Sequence, residues 1–149
     1  MGTEGNGFCK ETPLSDLPPK WRDGVEQFVS QVREQFSPCC IILYGSVAKG
    51  TYTVESDIDV IVIAEGLATD FWERLRTLND LRPRGVPLEV LAYTPAEFTK
   101  MLEDYSITAL DAVADGYPLY GESYFAGLER KVEELKALGL RRTAGAWRW

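Results

Sequence analysis

The chain has 149 residues, 45% hydrophobic and 11% aromatic, which suits one packed domain with a real core and is short for two. Sixteen basic against twenty-three acidic residues give a formal net charge of −7, which argues against a broad surface for nucleic-acid phosphates. Histidine is absent, so Ser-His-Asp and Cys-His nucleophile systems and His-ligated zinc are excluded. Acid-base or metal chemistry then falls mainly to carboxylates, with Lys, Tyr or Cys in reserve.

No apolar run approaches the roughly 20 residues that span a bilayer, and the first residues lack a secretory pattern. The expectation is a soluble cytoplasmic protein that does not enter the membrane. Three cysteines, Cys9, Cys39 and Cys40, cannot all pair, and reduced thiols are expected.

In chain order, residues 1–12 are rich in glycine and polar residues and read as a flexible arm. Ser15, Asp16 and Pro18-Pro19 signal a helix start. Trp21, Val25, Phe28, Val29, Val32 and Phe36 then recur at helical spacing for about four turns, until Ser37-Pro38. "CCIILYG" is a short buried strand, "SVAKG" one turn of helix and "TYTVES" a loop. "DIDVIVIAEG" is a second strand, apolar on both faces after its first three residues and so central in its sheet.

"TDFWERLRTLNDLR" predicts a helix capped by Thr69 or Asp70, with Phe71, Leu75 and Leu78 inward and the aromatics Phe71 and Trp72 packed in the core. "VPLEVLAYT" is a third strand, and "TPAEFTKMLED" a helix with Thr94 at the N-cap, Pro95 at N1 and Glu97 at N3. "SITALDAVADG" is a short helix closed by Gly116, "YPLYG" an extended piece, and "SYFAGLERKVEELKALGL" a last helix capped by Ser123. This order predicts an α/β or α+β unit with helices packed on a small sheet.

The chemistry gathers around "LYGSVAKGTYTVESDIDVIV". Gly45 lets the backbone turn sharply after the first strand, and Ser46 offers a hydroxyl and an N–H at a helix N-terminus, where phosphate is favoured. Lys49 in the next turn and Ser56 just before the acids are further candidates for a nucleotide's phosphates. Taken alone, the Gly-Ser pair reads more readily as an ordinary strand-to-helix turn.

Asp57 and Asp59, at i and i+2 of a strand, leave the same face, and two like charges side by side call for a cation. Alternatively, Asp57 caps a turn and Asp59 meets an arginine. Glu89 is a lone charge in a strand that otherwise reads as buried, which is costly unless it is paired, to Arg74 or Arg84 for instance, or binds metal. If the second and third strands are neighbours, Glu89 joins the Asp pair. All-oxygen donors suit Mg²⁺ or Mn²⁺, and three such acids suit two ions about 3.5 to 4 Å apart in nucleotidyl transfer.

These residues resemble the DNA polymerase beta-type nucleotidyltransferase superfamily, whose signature is Gly-Ser, about ten residues, Asp-x-Asp, then a third carboxylate on a later strand. Gly45, Ser46, Asp57, Asp59 and Glu89 match it, and the likeness is greatest to the small stand-alone minimal nucleotidyltransferases encoded beside all-helical HEPN partners. The third acid is often Asp in relatives, and Glu89 reaches about one bond further.

The resemblance implies a nucleotidyltransferase domain over residues 13–140 with a small mixed sheet. Asp57, Asp59 and Glu89 would be catalytic and metal-binding, and Gly45 and Ser46 nucleotide-binding, with Lys49 and Ser56 the further nucleotide-binding candidates that the residues themselves suggest. The cofactor would be Mg²⁺ (or Mn²⁺), the substrate ATP or another nucleoside triphosphate, and the candidate partner a HEPN-type toxin; the Glu-Lys face of "GLERKVEELKAL", read from the residues, is a solvated face or serves self-association with a second copy of the chain. A non-catalytic module that neutralises a partner by covering it is the alternative. Residues 141–149, with Arg141, Arg142 and Arg148 among Trp147 and Trp149, form a basic aromatic tail. That tail would either meet a nucleotide or partner, or pack on the body with its arginines against surface acids.

Overall fold

The computed structural model describes residues 13–53 and 55–149. The expected N-terminal arm and Cys9 lie outside the described residues. After a short 3-10 turn at Pro13–Asp16 come α1 (Pro19–Phe36), β1 (Cys40–Tyr44), α2 (Gly45–Lys49), β2 (Ile58–Ile63), α3 (Phe71–Asn79), β3 (Leu88–Tyr93) and α4 (Pro95–Glu103). They are followed by α5 (Ile107–Asp115), β4 (Tyr117–Tyr120), α6 (Glu122–Ala137), β5 (Arg141–Thr143) and β6 (Ala146–Arg148). The element order read from periodicity holds, with a β5–β6 hairpin added over the expected tail.

One mixed sheet runs in the order β3-β2-β1-β4, with β1 antiparallel to β2 and to β4, and β2 parallel to β3. The alternating side chains of these strands feed two cores. Ile41, Leu43, Ile58, Val60, Val62, Leu88 and Val90 pack with Val25, Phe28 and Val32 of α1 on one face. Cys40, Ile42, Ile61 and Ile63 pack with Phe98, Leu110, Phe125 and Val132 of α4, α5 and α6 on the other. Burial on both faces explains the unbroken run Val60–Ile63 in β2, which lies between β1 and β3. Cys39 and Cys40 are free thiols, and burial pushes Cys40 up to about 12.

The predicted caps divide. Asp70 caps α3 by accepting from the Trp72 and Glu73 N–H groups, and Thr94 with Glu97 forms the expected capping box of α4. Ser123 does not cap α6, because Gly121 at φ +82 turns the chain two residues earlier. On α3 the inward residues are Arg74 and Leu78, whereas Phe71 and Trp72 are exposed, Trp72 by 72%. Arg74 can face inward because its guanidinium donates to the Ala68 and Ala92 carbonyls and pairs with Glu97 at 2.7 Å. With Arg74 and Leu78 one turn apart facing the sheet, helical spacing carries Trp72 away from it. No helix among the described residues is long and apolar enough to cross a membrane.

Candidate active site

Strand direction assembles the site. Because β1 runs against β2 while β2 and β3 run together, the end of β1 meets the starts of β2 and β3. Tyr44 stands in register with Asp59, and Asp59 with Glu89, so three polar side chains form one row across three strands. Asp57, one step before β2, is exposed and shares the Asp59 face by alternation. Ile58 between them is fully buried against the α1 core and anchors the strand. The Ile58 N–H donates to the Pro87 carbonyl at 2.7 Å and ties the start of β2 to the approach to β3.

Gly45 opens α2 at φ +74 directly over this row. A Cβ there would run into the Asp59 carboxylate, so both the backbone angle and the close approach require glycine. Ser46 follows in the first turn of the helix, where N–H groups have no partner from a preceding turn. Lys49, exposed at the far end of α2, helps lower the Asp115 carboxyl, so its charge lies within reach of α5. The Ser56 hydroxyl is engaged in the loop itself, accepting from the Thr53 N–H at 2.9 Å.

Burial, then Glu89, then Asp57 push the Asp59 carboxyl up from 3.8 to about 6. Burial raises the Tyr44 phenol as well, with Asp59, Glu89 and Tyr93 adding to it. Among the described residues no cation pairs with Asp57, Asp59 or Glu89, and the arginines considered for Glu89 are otherwise occupied or apart from it. Arg74 is held by Glu97, and no ion pair joins Arg84 to Glu89. Glu89 is also exposed rather than buried, because β3 is an edge strand. Its charge is therefore cheap to keep and open to a ligand.

The row is not a closed cage: among the described residues no three acidic or thiol side chains are gathered tightly enough to enclose an ion by themselves. The donor set nevertheless fits a hard divalent cation, being all oxygen, mutually repelling and without an ion pair to a basic side chain among the described residues. Two residues escaped the sequence reading. Tyr44 was legible as the polar end of an apolar strand. Arg82, which donates to the Leu88 carbonyl and lines a groove with Asp57 and Glu89, had no sequence signal.

A family model described as the nucleotidyltransferase domain matches residues 25–111, a span that holds every acid and glycine of this site. The chain belongs to that family and is a nucleotidyltransferase. No curated protein matches the chain. Among solved structures, a Sulfolobus solfataricus protein assigned to the nucleotidyltransferases is similar at 18% identity, covering 76% of this chain and 92% of that one with a TM-score of 0.52. Looser likenesses include a toxin–antitoxin structure with AMP-PNP, at 21% identity, 75% and 89% coverage and TM-score 0.48. Another is a Shewanella oneidensis complex of tri-AMPylated HEPN toxin with MNT antitoxin, at 18% identity, 78% and 90% coverage and TM-score 0.47.

Proposed function

We propose that the chain transfers a nucleoside monophosphate, AMP from ATP, to a hydroxyl of a protein partner or small molecule. The acceptor that fits its resemblance to minimal nucleotidyltransferases is a helical HEPN-type toxin, which the chain would counter in the cytoplasm as an antitoxin. The observation that carries the reading is the register of Asp59 with Glu89, beside Asp57 and beneath Gly45.

In this reading Asp57 and Asp59 hold Mg²⁺, and Glu89 either completes the ion set or takes the proton of the acceptor hydroxyl. Bound divalent ions would neutralise the triphosphate and ease loss of that proton. Gly45 and Ser46 receive phosphate oxygens at the start of α2, and Lys49 adds positive charge one turn on. The acceptor oxygen bonds to the α-phosphorus, the bond from that phosphorus to the bridging oxygen breaks, and pyrophosphate leaves. Catalysis here is positioning and charge neutralisation.

Incubation with α-labelled ATP, Mg²⁺ and a candidate helical HEPN-type protein tests this. Label should pass to the acceptor, and Asp57→Asn or Asp59→Asn should abolish transfer. Labelling that survives either change, or neutralisation of the partner by the double variant, would overturn the assignment.

A further inference from the structure

Phe71 and Trp72 open α3 as exposed aromatics, and their rings meet edge to face at 5.8 Å between centroids. Phe71 forms one wall of a pocket of about 350 Å³ between α3 and α4, with Tyr93 and Met101 as further apolar walls. The charged groups around that pocket pair with each other, Arg74 with Glu97 and Lys100 with Asp104. What it offers a ligand is therefore neutral apolar surface.

A groove of about 420 Å³ starts at the acids, where Asp57, Glu89 and Arg82 line it together with Leu75, Asn79 and Leu91. Leu75 stands one helical turn after Phe71, and Leu91 stands two residues before Tyr93 on the same face of β3. The two hollows thus follow one another along the same helix and the same strand, as one trough. It runs along the outer edge of the sheet, because β3 is the last strand there. From Glu89 to Tyr93 its length is about 13 Å, the rise of four residues of strand.

Position decides which substrate enters the trough. Across the row, Gly45 and Ser46 stand at the end of β1, Asp59 on β2 and Glu89 on β3, with the groove beyond. Attacking and leaving oxygens lie roughly in line at the phosphorus, so a triphosphate held at Gly45 and Ser46 is met by the acceptor from the Glu89 side. A small acceptor would fill the acid end alone and leave the apolar end, with Phe71 and Trp72, facing water.

We propose, resting on the transfer reading above, that the trough docks the acceptor and that the acceptor is a polypeptide segment in extended form. Its hydroxyl-bearing residue sits at Glu89. An apolar side chain about four positions along enters the pocket of Phe71, Tyr93 and Met101, with Trp72 at its rim. Residues four apart on an extended chain face the same way, so both side chains reach the trough at once. Arg82, tethered to the Leu88 carbonyl, and Asn79 meet the main chain between them, the first as a donor and the second as donor and acceptor.

NMR titration of the full, isotope-labelled chain with short glycine–alanine peptides tests this. Each peptide carries one tyrosine, with a leucine at the fourth position from it, at the second, or nowhere. The first should bind at least about tenfold tighter than the other two, the worth of burying one leucine, and should shift the amides of Phe71, Trp72 and Tyr93. Phe71→Ser combined with Trp72→Ser should erase that preference, and the variant's own amide spectrum shows that it folds. Equal or absent binding of the three peptides, a preference that survives the double variant, or shifts confined elsewhere overturns the proposal. Addition of α-labelled ATP and Mg²⁺ separates it from the reading beneath it. Label passing equally to all three peptides keeps the transfer and overturns the trough, whereas preferential binding with no label on any peptide keeps the docking and overturns the transfer.

Discussion

Asp59 and Glu89 stand opposite one another on neighbouring parallel strands, and the second carboxylate, with burial and Asp57, pushes the first up to about 6. The metal-free chain therefore carries an electrostatic cost at neutral pH. In the folded state Asp59 holds its proton over a window, from about pH 4 to about pH 6, where the unfolded chain has lost it. Stability accordingly falls as pH rises through that window.

Asp59→Asn removes this cost. In chelator, the variant should exceed the wild type by about 1 kcal/mol at pH 8, a figure discounted for the carboxylate's partial exposure, with no gain at pH 4. Urea unfolding at the two pH values checks it. Mg²⁺ should raise the wild-type midpoint at pH 8 and leave Asp59→Asn nearly unmoved. Transfer activity of Asp57→Asn and Asp59→Asn should fall at least about 100-fold.

Gly45→Ala asks the backbone to keep φ +74 with a side chain and drives a methyl into the Asp59 carboxylate. Thermal unfolding should show a loss of about 1–3 kcal/mol, and nucleotide binding by calorimetry should weaken in parallel. Asp59→Asn changes the charge at this contact and keeps its shape, whereas Gly45→Ala keeps the charge and changes the shape, so the two variants separate the effects.

Arg74 is 5% exposed and satisfies two carbonyls as well as Glu97. Arg74→Met keeps the stem but strands the Ala68 and Ala92 oxygens and the Glu97 carboxylate. It should cost about 2–4 kcal/mol, measured by urea unfolding, while Trp72→Ser on the exposed side of the same helix should change stability by less than about 0.5 kcal/mol.

The hairpin should respond to acid. Arg142 donates to Asp115 and Asp111, Trp147 donates to Asp111, and the Arg142 hydrogen bond holds the Asp115 carboxyl below its ordinary value. A depressed carboxyl contributes stability that is present above the unfolded value near 4 and is lost as pH falls through the folded one. Tryptophan fluorescence should therefore change below about pH 4 in the wild type. Arg142→Ala should show the same change already at pH 7.

Residues 141–149 show where sequence reasoning stopped. Their composition pointed both to a ligand-seeking tail and to one packed on the body, and the Arg142 contacts with Asp111 and Asp115 match the second reading for that arginine. Nothing along the chain joins position 142 to positions 111 and 115, so only folding reveals the pair. Phe71 and Trp72 mislead for a related reason. Helical spacing says which residues share a face, and whether that face turns inward depends on what opposite strands offer, here carbonyls and a carboxylate for Arg74.

By itself the sequence determined the chemistry at one end of the sheet. It has no histidine, two acids on one face of a strand, a Gly-Ser turn before them and a lone glutamate thirty residues after Asp59. Strand alternation and residue type are local properties, and they survive being read one position at a time. The tertiary structure alone decided that β2 lies parallel to β3 in the register that sets Asp59 against Glu89, with Tyr44 closing the row. A slip of one residue would turn Glu89 to the other face, and that choice is made by the packing of Ile58, Val60, Leu88 and Val90 against α1.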